Sequence, residues 1–301
     1  MANKNTNILN ASELLEIYGT PVFSDAECSE YFRLSPAEIK VLKSFKDVSN
    51  SMHFVICLVF FKLNKTLVDF SYRETTAQRR HVMERYFPNS STPKTTVKDK
   101  NTIARIENTV LSLCDHQRYQ GEIAVLIQQE LQKQAQNNPR QRQLCKALLD
   151  LLTKHQVAIP GYTTVQNIIS TVSNRENNRL IKTYVRYTNK TDRDSILSLM
   201  TKDDDGLHHI VSIRQDMRGF NTTELNKEID KHIKLQPIFE AAINVIPKLN
   251  LPTATINYYG PSVREAATSR HFFSYNDFIK PFLKLVLLRF PQTFVPLQCI
   301  P

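Results

Sequence analysis

Glycine is scarce in this chain: six residues out of 301. Phosphate cradles and tight βα turns consume glycine, so a glycine-loop nucleotide enzyme is not expected. Cysteine is equally thin. Cys28, Cys57, Cys114, Cys145 and Cys299 are odd in number, widely separated and form no Cys-x-x-Cys pair, which argues against a disulfide framework and against a zinc site. The longest apolar run, Phe54 to Leu63, is too short to span a bilayer and reads as a buried core helix. Met1 to Asn7 lack the apolar centre of a signal peptide. Gly-x-x-x-x-Gly-Lys, His-Glu-x-x-His and Gly-x-Ser-x-Gly are all missing. The expectation is a chain with no enzymatic site and no cofactor, in a reducing cytoplasm.

What is present is an ordinary globular composition, 41% hydrophobic and 23% charged, long enough for roughly two domains. Three Ser-x-x-Glu patterns, Ser24 to Glu27, Ser35 to Glu38 and Ser71 to Glu74, are capping boxes, and Pro36 supplies a first-turn proline. Apolar residues recur at helical steps: Ile103, Ile106, Val110, Leu113; Ile123, Leu126, Ile127, Leu131; Leu144, Leu148, Leu151, Leu152; Val165, Ile168, Ile169, Val172. No series of alternating β-branched segments with hairpin turns competes with them. The fold class is therefore all-α. Pro88 to Thr96 reads as a linker and Lys202 to Gly206 as a second break.

Charge is the most informative excess. Thirty-nine Lys+Arg oppose 29 Asp+Glu, a net +10, so a polyanion is the expected partner, with nucleic acid and an anionic membrane surface both fitting. The excess sits in two blocks. Residues 62–100 hold nine basic and four acidic side chains, and residues 133–193 hold eleven and three. In the second block, Pro139 to Gln156 reads as a helix with Arg140, Arg142 and Lys146 outside, followed by a short turn, Val157 to Tyr162, and a helix started by Thr163 and Thr164. This is a helix-turn-helix-like order. Arg175, Asn178, Arg179, Lys182 and Arg186 form a stripe beside the apolar residues Val165, Ile169, Val172, Leu180 and Tyr184. Guanidinium groups and side-chain amides pair with base edges and phosphates. A solvated helical hairpin has the same look. The density of one sign of charge is what favours the DNA reading.

The first block offers Arg73, Arg79, Arg80 and His81 as phosphate contacts, with Val82, Met83, Tyr86 and Phe87 packing it down. Asp203, Asp204 and Asp205 with His208 and His209 are read as a solvated loop, since neighbouring side chains point in different directions.

Tyr31 to Ile39, then Asn50, Phe54, the run to Phe61 and the block from Arg73 to Tyr86, resemble the N-terminal domain of replicative transposases of the Tn-three family. Ile159 to Thr164 looks like that family's Leu-Pro-Gly turn into a helix, and Asn221 to Leu251 with Ile256 to Tyr259 looks like its following helical region. The likeness runs from about Leu9 to Phe290; Phe45 to Ser49 departs from it by being more acidic, and Pro291 to Pro301 no longer share it. The resemblance implies two helical DNA-binding domains, here 1–93 and 94–200, and the start of a scaffold and dimerisation region, 201–301. It implies recognition of terminal inverted repeats in double-stranded DNA, for which the two basic blocks offer Arg73, Arg79, Arg80, Arg140, Arg142, Lys146, Thr163, Thr164, Asn167, Arg175, Asn178, Arg179, Lys182 and Arg186 as the contacts. The family's acidic triad for strand transfer lies further downstream, so a truncated or split copy is expected. The competing expectation is a helical interaction module. In it, Leu225, Ile229, Ile233, Phe239, Ile243 and Ile246 form a seam for a homodimer or for a heterocomplex with a full-length transposase.

Overall fold

The computed structural model describes residues 8–97, 99–198, 219–252 and Thr255. The described residues hold eleven α-helices and no strand. They are α1 (Ala11–Tyr18), α2 (Asp25–Tyr31), α3 (Pro36–Leu42), α4 (Val48–Asn64), α5 (Thr76–Tyr86), α6 (Lys100–Leu113), α7 (Gly121–Asn137), α8 (Gln141–Lys154), α9 (Tyr162–Tyr187), α10 (Lys190–Ser198) and α11 (Thr222–Leu249). The all-α expectation holds. No helix among the described residues is long and apolar enough to cross a membrane.

The chain divides into two compact units, one of residues 1–131 with 141–171, the other of residues 132–140 with 172–301. In the first, α4 is the axis. Every residue from Ser51 to Phe61 is buried, because α1, α3, α5 and α6 pack against it from different sides. A helix apolar all round is stable only when enclosed in this way. Short capped helices make the enclosure. Ser24 and Ser35 each accept from the backbone of Glu27 or Glu38, whose carboxylates return the bond, and Pro36 opens α3. Asn10 and Glu13 form a third such box at α1. Ser71 and Glu74 exchange the same pair of bonds, but Tyr72 to Thr75 form turns and α5 begins only at Thr76.

One polar group belongs to this core by design of its neighbours. Glu38 is 8% exposed and lies 2.6 Å from the Lys62 ammonium. Burial pushes its carboxyl upward, yet the Lys62 hydrogen bond and the α3 cap outweigh that and hold it below its usual range.

α4, α6 and α8 share an ending. Just past each sits a non-glycine residue with positive φ: Lys65 at 56°, Asp115 at 53° and Gln156 at 51°. The chain then enters isolated parallel bridges, Thr66 with Ile159 and Gln117 with Val157. These are the only extended pairings among the described residues.

In the second unit the end of α11 supplies the buried surface: Ile238, Ala241, Ala242, Val245 and Leu249. Val172, Leu180 and Tyr184 of α9 are buried in the same unit, and α10 packs on α11. The burial of α11 begins immediately after Pro237, a residue that cannot donate to the helix ladder.

Candidate nucleic-acid interface

In the first unit, the connection from α8 to α9 is gripped by main chain on both sides. The Ile159 amide donates to Lys65 O at 2.8 Å and the Ala158 amide to Gln117 O at 2.9 Å, while Gln117 N donates to Gln156 O at 2.9 Å. The Thr66 hydroxyl donates to Ile159 O. Two tyrosines finish the lock. Tyr18 donates to Pro160 O at 3.1 Å, and the Tyr162 hydroxyl accepts from the Ile8 and Leu9 amides at 3.0 and 3.3 Å. Their rings meet with centroids 5.9 Å apart. α8 turns Leu144, Cys145, Leu148 and Leu152 inward, and the first turns of α9 bury Val165, Ile168 and Ile169.

The sequence-selected residues of these elements lie outside. Arg142, Lys146, Thr163, Thr164 and Asn167 are all exposed. Arg142 pairs with Glu13 of α1. The carboxyl of Glu13 is held below its ordinary range first by the Asn10 backbone bond, against burial, and then by Arg142.

The residues around α5 divide. Arg73 is exposed, and Arg80 is exposed with its guanidinium 4.0 Å from Asp25. Arg79 turns inward: it donates to Tyr72 O at 2.9 Å and lies over the Tyr72 ring, 4.9 Å from its centroid. Tyr72 is itself fixed by donating to Ser49 O. His81 is half-buried with its ring edge-on to Phe32.

In the second unit, α9 from Val172 onward carries Arg175, Asn178, Lys182 and Arg186 on one face, all exposed. Arg186 also lies over the Tyr187 ring at 5.6 Å. Arg140, at the other end of this unit's sequence, is exposed too. Arg179 stands apart from the stripe. Its Nε and Nη2 donate to the two carboxylate oxygens of Glu176 at 2.9 and 2.7 Å, and its Nη1 and Nη2 reach Leu249 O at 3.3 Å. Glu176, the one carboxylate of α9, is 1% exposed. The exposed face of α9 therefore bears no negative side chain.

A family described as a domain of unknown function, DUF4158, matches residues 8–172. The chain belongs to the DUF4158 family. No curated protein matches it. The DUF4158 match ends at Val172, the residue at which α9 passes from the first compact unit to the second. The domain thus takes in α1 to α8, the locked connection and the first turns of α9.

Three residues that organise the DUF4158 domain and its continuation escaped the sequence reading. Tyr162 and Tyr18 act through partners more than 140 residues away, for which no local pattern exists. Glu176 did carry a signal, since it precedes Arg179 by three residues, the spacing of a helical ion pair. Asp203 to Asp205, His208, His209, Cys299 and the break at 202–206 lie outside the described residues.

Proposed function

We propose that this chain binds double-stranded DNA, as the N-terminal part of a replicative transposase of the Tn-three family, and performs no strand transfer itself. The observation that carries the reading is the exposed face of α9, where Arg175, Asn178, Lys182 and Arg186 follow one another at helical spacing without an intervening carboxylate. Such a face meets the phosphate backbone with its cations and base edges with its amides and guanidinium groups. In the DUF4158 domain, the locked turn from α8 to α9 presents Thr163, Thr164 and Asn167 in the manner of a helix-turn-helix, with Arg142, Lys146, Arg73 and Arg80 as further cations. The family resemblance supplies the target, terminal inverted repeats.

Gel-shift titrations of the chain with an inverted-repeat duplex and a scrambled one test the reading. Preference for the repeat is expected, with log K falling against log salt at a slope near −5 if about six phosphates are neutralised. Equal, weak binding to both duplexes overturns it.

A second reading rests on α11, whose Leu225, Ile229, Ile233 and Ile243 are 45%, 55%, 65% and 54% exposed, while Phe239 and Ile246 are half-buried. This stripe suits assembly with another copy or with a full-length transposase. Light scattering on the purified chain, alone and with the full-length protein, separates the two.

A further inference from the structure

We infer that Arg179 and Glu176 form a positioning clamp that sets the direction of the α9 stripe, and that Arg179 itself does not touch DNA. The inference rests on the reading of α9 as a DNA-contacting helix and assigns a role within it. On the helical wheel Arg179 sits at the edge of the basic stripe nearest the buried residues Val172, Leu180 and Tyr184. From that edge its half-buried guanidinium reaches Glu176 and the end of α11. It meets Glu176 in a two-point fork, the geometry in which arginine binds a carboxylate most strongly. The same group donates to Leu249 O, the carbonyl of the last residue of α11. That carbonyl is among those a helix leaves without an internal partner, at the negative end of the helix dipole.

Each group in this arrangement needs the others. Glu176, at 1% exposure, has both of its carboxylate oxygens taken up by the Arg179 fork. Arg179 neutralises it and spends donors from both Nη atoms on α11. A main-chain carbonyl cannot rotate away as a side chain can, so the three-way contact fixes the rotation of α9 about its own axis relative to the end of α11. Arg175, Asn178, Lys182 and Arg186 are carried on that axis. A small rotation moves all four together, and a planar, short-range contact to a base edge tolerates little of it.

Four variants decide the matter: Arg179→Ala, Arg179→Lys, Glu176→Gln and the double change of Glu176→Leu with Arg179→Leu, which removes the buried charge together with the fork. Affinity for the inverted-repeat duplex is measured across salt, and hydrogen exchange is followed in the DNA-free protein. Positioning predicts that all four weaken specific binding by about tenfold, the scale of one well-placed base contact, with the salt slope unchanged. It also predicts faster exchange at the amides of residues 176–187 and 245–250. Lysine does not rescue, because it keeps the charge but not the fork. A direct DNA contact predicts the opposite pattern. Arg179→Lys then keeps most of the affinity, Arg179→Ala lowers the slope by about 0.9, and Glu176→Gln, which frees the guanidinium, leaves binding equal or tighter; that pattern overturns the clamp. A wild-type chain without preference for the repeat overturns the reading of α9 instead. Exchange then judges the clamp alone, and rates unchanged from wild type refute it.

Discussion

Acidifying the protein from pH 7 should expose the cost of a histidine sealed inside α4. His53 is 7% exposed, stacks on Phe70 with centroids 4.7 Å apart, and its Nδ1 is buried without a hydrogen-bond partner. Burial pushes its pKa down to about 4, and nearby Asp69 offsets only part of that. The unfolded imidazole titrates near 6.5, so between pH 6.5 and 4 the unfolded chain binds a proton that the folded chain refuses. A folded pKa lying below the unfolded one makes stability rise with pH across that window. The contribution is complete above 6.5 and gone below 4. The shift is worth about 3 kcal/mol in full, and about 2.5 kcal/mol of it is lost by pH 4.5.

The assay is urea unfolding at a series of pH values, followed by far-UV circular dichroism because the chain has no tryptophan. His53→Phe serves as the reference, since it keeps an aromatic ring against Phe70. Carboxylates held below their ordinary range, such as Glu27 and Glu74 at their caps, also lose their contribution in acid, but equally in both proteins. The difference between the two curves isolates His53. It should grow by about 2.5 kcal/mol from pH 7.5 to pH 4.5. Parallel curves would refute the reasoning and show that the folded protein admits the proton.

Lys62→Met strips Glu38 of its cation while keeping the aliphatic stem, and should cost about 1–3 kcal/mol in urea unfolding at pH 7, a loss that shrinks in acid as the carboxyl protonates; no change at pH 7 would show that the pair is idle. Tyr162→Phe removes the acceptor shared by the Ile8 and Leu9 amides and should cost about 1–2 kcal/mol. Faster hydrogen exchange at those two amides, with the α4 amides unaffected, is the accompanying sign.

Much of this was legible locally. The Ser24 and Ser35 boxes, the buried run in α4 and the inward face of Val165, Ile168, Ile169 and Val172 depend on neighbours three and four residues away, and that is the range over which a sequence pattern speaks. The limits appear where a local rule meets a distant partner. Ser71 and Glu74 form their box as the spacing demands, yet the residues from Tyr72 to Thr75 stay in turns and α5 begins only at Thr76. Helical periodicity put Arg179 beside Arg175 and Lys182 on the wheel. It had no means of knowing that a carbonyl 70 residues away would take a bond from that side chain. Arginine at the edge of an amphipathic face can go either way, and tertiary contact decides.

The same dependence links the buried helix to the exposed one. α4 is enclosed on every side, so the position of its end is set by the core as a whole rather than by any single neighbour. Lys65 caps that end in the left-handed conformation and its carbonyl immediately accepts from Ile159, while Thr66 holds the Ile159 carbonyl in turn. Two residues later the chain reaches Gly161, whose carbonyl accepts the first bonds of α9, from Thr164 and Val165. The path from the centre of the core to Thr163 and Thr164 is thus a few hydrogen bonds long, with Val157 and Ala158 buried beneath it. Core substitutions in α4 that leave the fold intact should therefore still disturb the first turn of α9. The first turn of α9 is in this way tied to the buried run of α4.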